Sequence, residues 1–455
     1  MTTFLSSALA LIVTLGVLIA FHEYGHFWTA RKLGVKVLRY SIGFGKPLWM
    51  RRRGEDQTEY VIAAFPLGGY VKMLDEREGD VAPSEQHRAF NRQSVWSRFA
   101  IVIAGPMFNF IFAILAFWIM YLIGVPGVKP IVGDIEPETI AAVSGFRAGD
   151  EIIEIEGEET ATWGVVRLTL LDHSLDSDEV NMMVRSQSGE VHSLKLPVNN
   201  ITTEIKQKDL LSHVGITPFR PKLPPVLGQL EPGGPAEVAG LQENDRIIKI
   251  GDQWLYSWED LVNIVQAHPQ QKLIIEIERS GKTRVIDVNT TQRKTDAGLI
   301  GKIGAAPARP EALSQDYLAE VKYSFFTAFG VAVVKTWKMS VLTLRMIGKM
   351  IVGEVSLDNL SGPITIATYA GYTASAGISS FLYFLAVISI SLGVLNLLPI
   401  PLLDGGHLLN YLIEIIKGSP LSDVIQLKMQ RVGIALLAML MSLALYNDIA
   451  RLVGS

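Results

Sequence analysis

Long apolar runs alternate with charged stretches along this chain. A helix needs about 20 mostly apolar residues to cross about 30 Å of hydrocarbon. Four windows reach that length: residues 4 to about 28, about 99 to 123, about 381 to 403, and about 432 to 445. The pattern predicts a polytopic α-helical membrane protein with four transmembrane helices. The first window reads as a retained span, not a cleaved signal peptide. Residues 1–6 carry no Lys or Arg, no small-residue cleavage site follows, and Arg31 and Lys32 come after the apolar run.

A fifth stretch, about 321 to 352, is apolar but interrupted by Lys335, Lys338, Arg345 and Lys349. Spacings of three, seven and four put these cations on one helical face. The expectation is an amphipathic helix lying along the membrane surface, with a helix packed on a soluble domain as the other reading. Orientation follows from loop cations. Arg31, Lys32, Lys36, Arg39, Lys46, Arg51, Arg52 and Arg53 fall between the first two spans, which makes that loop cytoplasmic. An even number of spans then puts both termini, and the long stretch after the second span, outside.

That long stretch, about 129 to 310, is rich in turn residues and repeats with an offset of 95. Gly133 aligns with Gly228, Ala141 with Ala236, Asp150 with Asp245, and Trp163 with Trp258. Two copies of one β domain is the economical reading. Each copy resembles a bacterial PDZ domain, most closely through Gly240, Leu241 and Asp245 of the second. The first copy departs from the pattern at Val143-Ser144-Gly145-Phe146. The resemblance implies strand addition of an extended peptide, such as a free C-terminus. A steric filter is the alternative. The expected domains are 1–128, 129–220, 221–310, 311–380 and 381–455.

Composition narrows the chemistry. The 455 residues are 49% hydrophobic and 19% charged, with no cysteine and a formal charge of −4. No disulfide, thiol nucleophile, iron–sulfur cluster or cysteine-bound zinc is available. A charge this close to neutral argues against a nucleic-acid binder.

A metal site must therefore use His and carboxylate. His22-Glu23-Tyr24-Gly25-His26 supplies a His-Glu-x-x-His pattern at the end of the first span. Helical positions four apart share a face, so both imidazoles can reach one Zn²⁺, with the Glu placed to deprotonate a water. Ionisable groups at membrane depth are costly and usually functional. Catalytic zinc needs a third protein ligand. Asp404 follows the third apolar run, beyond Asn396, Pro399 and Pro401, and is preferred; His407 competes. Prolines there leave backbone groups unpaired, which is tolerable at membrane depth only inside protein or a wet cavity.

The pair His22-Glu23-x-x-His26 and Asn396-x-x-Pro399-x-Pro401-x-x-Asp404-Gly405 resembles the site-2 protease family of intramembrane zinc metalloproteases. The resemblance covers essentially the whole chain. It implies His22, His26 and Asp404 as zinc ligands, Glu23 as catalytic base, and Asn396 as a group that holds the substrate backbone. It also implies that the strand-like stretches from 37 to 73 form a re-entrant β-structure dipping into the membrane from the cytoplasmic side. Residues 66–70 would turn into an edge strand bearing Gly69 and Tyr70 against substrate; an ordinary cytoplasmic hairpin is the other reading. Gly105-Pro106-Met107-Phe108-Asn109 matches a further motif, with Asn109 placed to contact substrate. The implied setting is a bacterial inner membrane, with the site toward the cytoplasm. The implied substrates are single-pass membrane proteins already trimmed outside, chiefly an anti-sigma factor in envelope-stress signalling, and remnant signal peptides second. The rival reading is a non-enzymatic PDZ membrane scaffold.

Overall fold

The structure is a computed structural model that describes residues 2–198, 210–219, 222–295, 298–308, 317–357 and 360–453. The expected domain boundaries near 220 and 310 lie outside the described residues.

Helix α1 (Thr2–Lys32) leads into strands β1 (Val37–Arg53) and β2 (Thr58–Met73), and then into helix α2 (Val95–Ile123). The two strands fold back on themselves. Tyr40 pairs with both Tyr60 and Val71, Ser41 with Val61 and Tyr70, and Ile42 with Ile62 and Gly69. The 49–53 stretch of β1 pairs with 58–62 of β2. Four segments thus lie in the order 69–73, 37–42, 58–62, 49–53, and the 69–73 segment is an edge. The bend in β1 falls at Gly43 and Gly45, with φ of +93° and +91°. A Cβ on Gly43 would sit 2.9 Å from Phe65 O, so the bend needs glycine twice over. Between 62 and 69 the chain reverses and crosses the end of the 37–42 segment to reach the 69–73 edge, where the turn was expected, with Phe44 paired to Phe65 and Ile42 to Gly69.

Strand β3 (Val125–Val128) follows α2 directly and pairs antiparallel with residues 318–321, Val125 opposite Val321. Both ends of the intervening excursion therefore meet at the end of α2. The excursion carries two four-stranded sheets of one topology. The first runs in the order 158–159, 151–155, 179–185, 191–197, and the second in the order 253–254, 246–250, 272–279, 282–289. The offset of 95 holds element by element, from Ile140–Val143 against Pro235–Val238 to the helices opening at Trp163 and Trp258. A carboxylate turn recurs too: Asp150 Oδ2 accepts from Arg147 N and Asp245 Oδ2 from Gln242 N, each at 2.8 Å. Each sheet has its own core, one around Ile152, Ile155 and Met182, the other around Ile247, Ile275 and Ile277.

The C-terminal part is helical: α3 (Phe325–Ile351), α4 (Pro363–Ala376), α5 (Ile378–Leu397), α6 (Asp404–Lys417) and α7 (Asp423–Val453). Among the described residues, five helices are long and apolar enough to cross a membrane: Ser6–Lys32, Val95–Ile123, Phe325–Ile351, Ile378–Leu397 and Val424–Arg451. That is one more than the four expected, and the addition is α3, whose cations are too sparse to disqualify it on composition. The window expected to reach 403 is cut at Leu397, because Pro399 and Pro401 have no N–H to continue the helix. One core joins the helices, with Leu18 of α1, Phe117 and Met120 of α2, Ala332 of α3 and Ile390 of α5 packed together.

Candidate metal centre

Three helices converge on one point. α1 presents His22, Glu23 and His26 on adjoining positions, as the four-residue spacing requires. α2 comes close because it is glycine where it passes them. A Cβ on Gly105 would lie 2.2 Å from His26 Nε2 and 2.9 Å from His22 Cε1. Gly25 answers from α1, where a Cβ would meet Ala104 O at 2.4 Å.

Asp404 arrives from the third direction as the first residue of α6. The loop before it turns so tightly that Leu402 adopts φ +89°, an uncommon conformation for a branched residue. A Cβ on Gly405 would lie 2.0 Å from Leu398 O, so the residue after Asp404 has no room for a side chain. α6 is fixed to α2 by Arg98, which pairs with Glu414 at 2.7 Å and lies over the Tyr411 ring.

The resulting geometry is that of a metal cage. His22 Nε2 and His26 Nε2 are 3.3 Å apart. Asp404 Oδ2 lies 3.2 Å from the first and 3.6 Å from the second. Tetrahedral zinc with bonds of about 2.0–2.1 Å holds its ligand atoms about 3.3 Å apart. Asp404 Oδ2 is also buried without a hydrogen-bond partner, an arrangement that a cation resolves. The residues fit zinc. His407 side chain is exposed and stands outside the three-donor group.

The imidazoles are held from behind. His26 Nδ1 donates to Ile101 O at 2.8 Å, which turns Nε2 toward Asp404. His22 Nδ1 lies 3.2 Å from Asn109 Nδ2. Asn109 is wholly buried, and its backbone carbonyl accepts from Ser389 Oγ at 2.8 Å. It therefore backs His22.

Glu23 is 8% exposed, and its carboxylate makes no hydrogen bond among the described residues. The edge strand passes directly over it. A Cβ on Gly69 would meet Glu23 Cγ at 2.8 Å and Ile19 Cγ2 at 2.7 Å. Tyr70 stacks on Phe44 with nearly parallel rings, and its hydroxyl accepts from Arg39 Nη1 at 3.0 Å. Asn396 sits half-buried in the last turn of α5, with no side-chain hydrogen bond among the described residues. Sequence reasoning missed the Ile101 carbonyl, Ser389 and the spatial role of Gly105. Only Gly105 left a signal, inside the Gly-Pro motif.

Residues 10–440 match the family model described as Peptidase family M50. The chain is 46% identical over 452 residues to the regulator of sigma-E protease RseP of Escherichia coli strain K12, covering 99% of this chain and 100% of that protein. It is 44% identical over 456 residues to protease RseP of Yersinia pestis, with 99% and 100% covered. A putative zinc metalloprotease of Vibrio cholerae is 42% identical over 457 residues, again with 99% and 100% covered.

Proposed function

The chain belongs to peptidase family M50 and is a zinc metalloprotease; from that membership we propose that it cleaves the membrane-spanning segments of single-pass proteins inside the bilayer. The observation that carries this reading is the spacing of His22, His26 and Asp404, the first two on an apolar helix and the third just beyond another. These three hold the zinc. A zinc ion held there would supply Lewis-acid polarisation of the scissile carbonyl and a more acidic water.

The chain's own groups do the rest. Glu23 takes the proton of the attacking water and returns it to the leaving amine. Its carboxylate is uncommitted to any described donor, which suits a base. Asn396 holds the substrate backbone near the metal. A helical peptide bond is closed to attack, so substrate must be extended first. The Gly69–Tyr70 edge, which lies over Glu23, receives it by strand pairing. The β1–β2 sheet accordingly dips into the membrane from the cytoplasmic side, and the exposed Phe44, Leu48 and Phe65 support that placement.

Four helices cross the membrane and α3 lies along its outer surface. Lys338 pairs with Glu158, and Arg345 with Asp172 and Asp176, which ties the second half of α3 to the first domain of the excursion. A spanning α3 would carry that half away from this domain. Both termini and the two domains are then periplasmic. The shared strand order and the Asp150 and Asp245 turns support tandem PDZ-like modules, at 129–220 and 221–310, that exclude bulky ectodomains or bind new C-termini. The relatives' name, regulator of sigma-E protease, supports an anti-sigma factor as the substrate. Remnant signal peptides are a second class.

The test is a reconstituted cleavage assay on a reporter transmembrane segment, with zinc quantified on the same sample. One zinc per chain and a cut within the apolar segment are expected. Cleavage confined to exposed loops would overturn the intramembrane reading.

A further inference from the structure

Between residues 31 and 98 the chain carries nine arginines. Six have carboxylate partners. Arg39 and Arg52 share Glu59, Arg77 pairs with Asp75, and Arg88 with Asp56; Arg92 pairs with Glu76 and Arg98 with Glu414. The other three are Arg31, Arg51 and Arg53. Among the described residues they have no carboxylate partner, and all three line one cavity of about 510 Å³.

Their gathering has a cost. Three guanidinium groups in one cavity repel one another, their N–H donors have no acceptor among the described residues, and Asp56, which feels the charge of Arg31, is already held by Arg88. A bound anion relieves both. Arginine suits phosphate in particular, because its planar fork meets two oxygens at once.

The cavity also has a direction. Side chains alternate along a strand, so Trp49, Arg51 and Arg53 share one face of β1. Along that face the lining passes from two cations to an indole, and Ile42 and Ile62 continue the apolar side. Arg31 stands across the cavity in the last turn of α1, where the apolar helix ends. Tyr40 and Tyr60 line the space between, in the amphipathic role tyrosine takes at membrane interfaces. Cations at one end and apolar side chains at the other match a lipid: headgroup at the arginines, acyl chain along Trp49, Ile42 and Ile62.

We propose that this cavity binds one anionic glycerophospholipid, its phosphodiester held between Arg31 of α1 and Arg51 and Arg53 of β1. The consequence reaches the metal centre. Arg31 belongs to the helix that carries Glu23, and Arg51 and Arg53 belong to the sheet whose far edge lies over Glu23. One phosphate between them fixes the sheet against the catalytic helix, so bilayer charge sets how firmly the substrate-pairing edge is held.

The experiment offers the full-length protein mixed micelles of phosphatidylglycerol and phosphatidylcholine and counts retained lipids by native mass spectrometry. Phosphatidylglycerol is retained selectively. The double variant Arg51→Gln, Arg53→Gln lowers that retention about tenfold or more, and Arg31→Gln lowers it from the opposite wall. Arg52→Gln, which removes a residue already paired with Glu59, leaves it unchanged. Zinc content at the unsubstituted level in each variant shows that lipid binding, not the fold, was lost. Equal retention of the two lipids by the unsubstituted protein overturns the proposal, as does unchanged retention in the double variant. Displacement of phosphatidylglycerol by excess inorganic phosphate assigns the cavity to a free anion and overturns the lipid as occupant.

Discussion

Asn109 Nδ2 lies 3.2 Å from His22 Nδ1, while the Oδ1 of the same amide is buried with no partner. A neutral imidazole that binds metal through Nε2 keeps its proton on Nδ1 and asks for an acceptor there. A half-turn of the Asn109 amide supplies Oδ1 to that proton and removes the orphaned oxygen in one step. Asn109→Asp, which offers only acceptors when ionised, should retain zinc. Asn109→Leu, similar in size and without an acceptor, should weaken zinc binding about 10–100-fold. Competition with a fluorescent chelator measures both. If Asp loses zinc as badly as Leu, the amide acts as a donor and the assignment is wrong.

Glu23 is close to the metal cage but outside its three donors. Glu23→Gln keeps the shape and removes the base. Zinc content should stay at the unsubstituted level while cleavage falls about 10²–10⁴-fold. Full cleavage by this variant would remove Glu23 from the mechanism.

Two glycines separate the cage from the substrate edge. Gly105→Ala drives a methyl into the His26 and His22 rings, at 2.2 and 2.9 Å. Zinc binding should fall, and activity with it. Gly69→Ala meets Glu23 Cγ and Ile19 Cγ2 instead, at 2.8 and 2.7 Å. There, zinc should stay and activity should fall. Gly16→Ala, also on α1 but with nothing within 4 Å, should leave both unchanged. Zinc stoichiometry beside cleavage rate distinguishes the three. Loss of zinc in Gly69→Ala would show that the edge strand supports the cage itself.

What the chain declares in advance follows from range. His22 and His26 are legible because four residues on a helix bring them to one face with no help from elsewhere. Asp404 is legible because an apolar run broken by Pro399 and Pro401 marks a site by itself. The repeat is legible because Asp150 and Asp245 each cap their own turn three residues back. The bends of β1 and β2 are not, since they depend on Phe44 meeting Phe65 across 21 positions. The role of Asn109 is hidden for the same reason: nothing near it in the chain announces that α1 will set His22 against it, 87 residues away. α3 is ambiguous at both levels, because length and composition admit a span while Lys338 and Arg345 find partners in a neighbouring domain.

The two repeat units differ in how they treat the same buried carboxylate. Asp245 is 1% exposed and receives Arg279 through two bonds of 2.6 Å, in addition to Gln242 N. Asp150 is 2% exposed and accepts from Arg147 N, with no cation partner among the described residues. Removing Asp245 loses two charge-assisted bonds to a partly exposed cation as well as the turn bond, which adds about 1.5–3 kcal/mol. Losing a turn hydrogen bond alone costs about 1–3 kcal/mol. Asp245→Ala should therefore open the second unit at markedly lower urea concentration than Asp150→Ala opens the first. Limited proteolysis of the full chain, with cut sites mapped by mass spectrometry, reads each unit separately. The double variant Asp245→Ala, Arg279→Met should recover part of the loss, since it removes the stranded cation as well. Equal sensitivity of the two units, or no recovery in the double variant, would mean that the Arg279 pair contributes nothing beyond the turn it shares with the first unit.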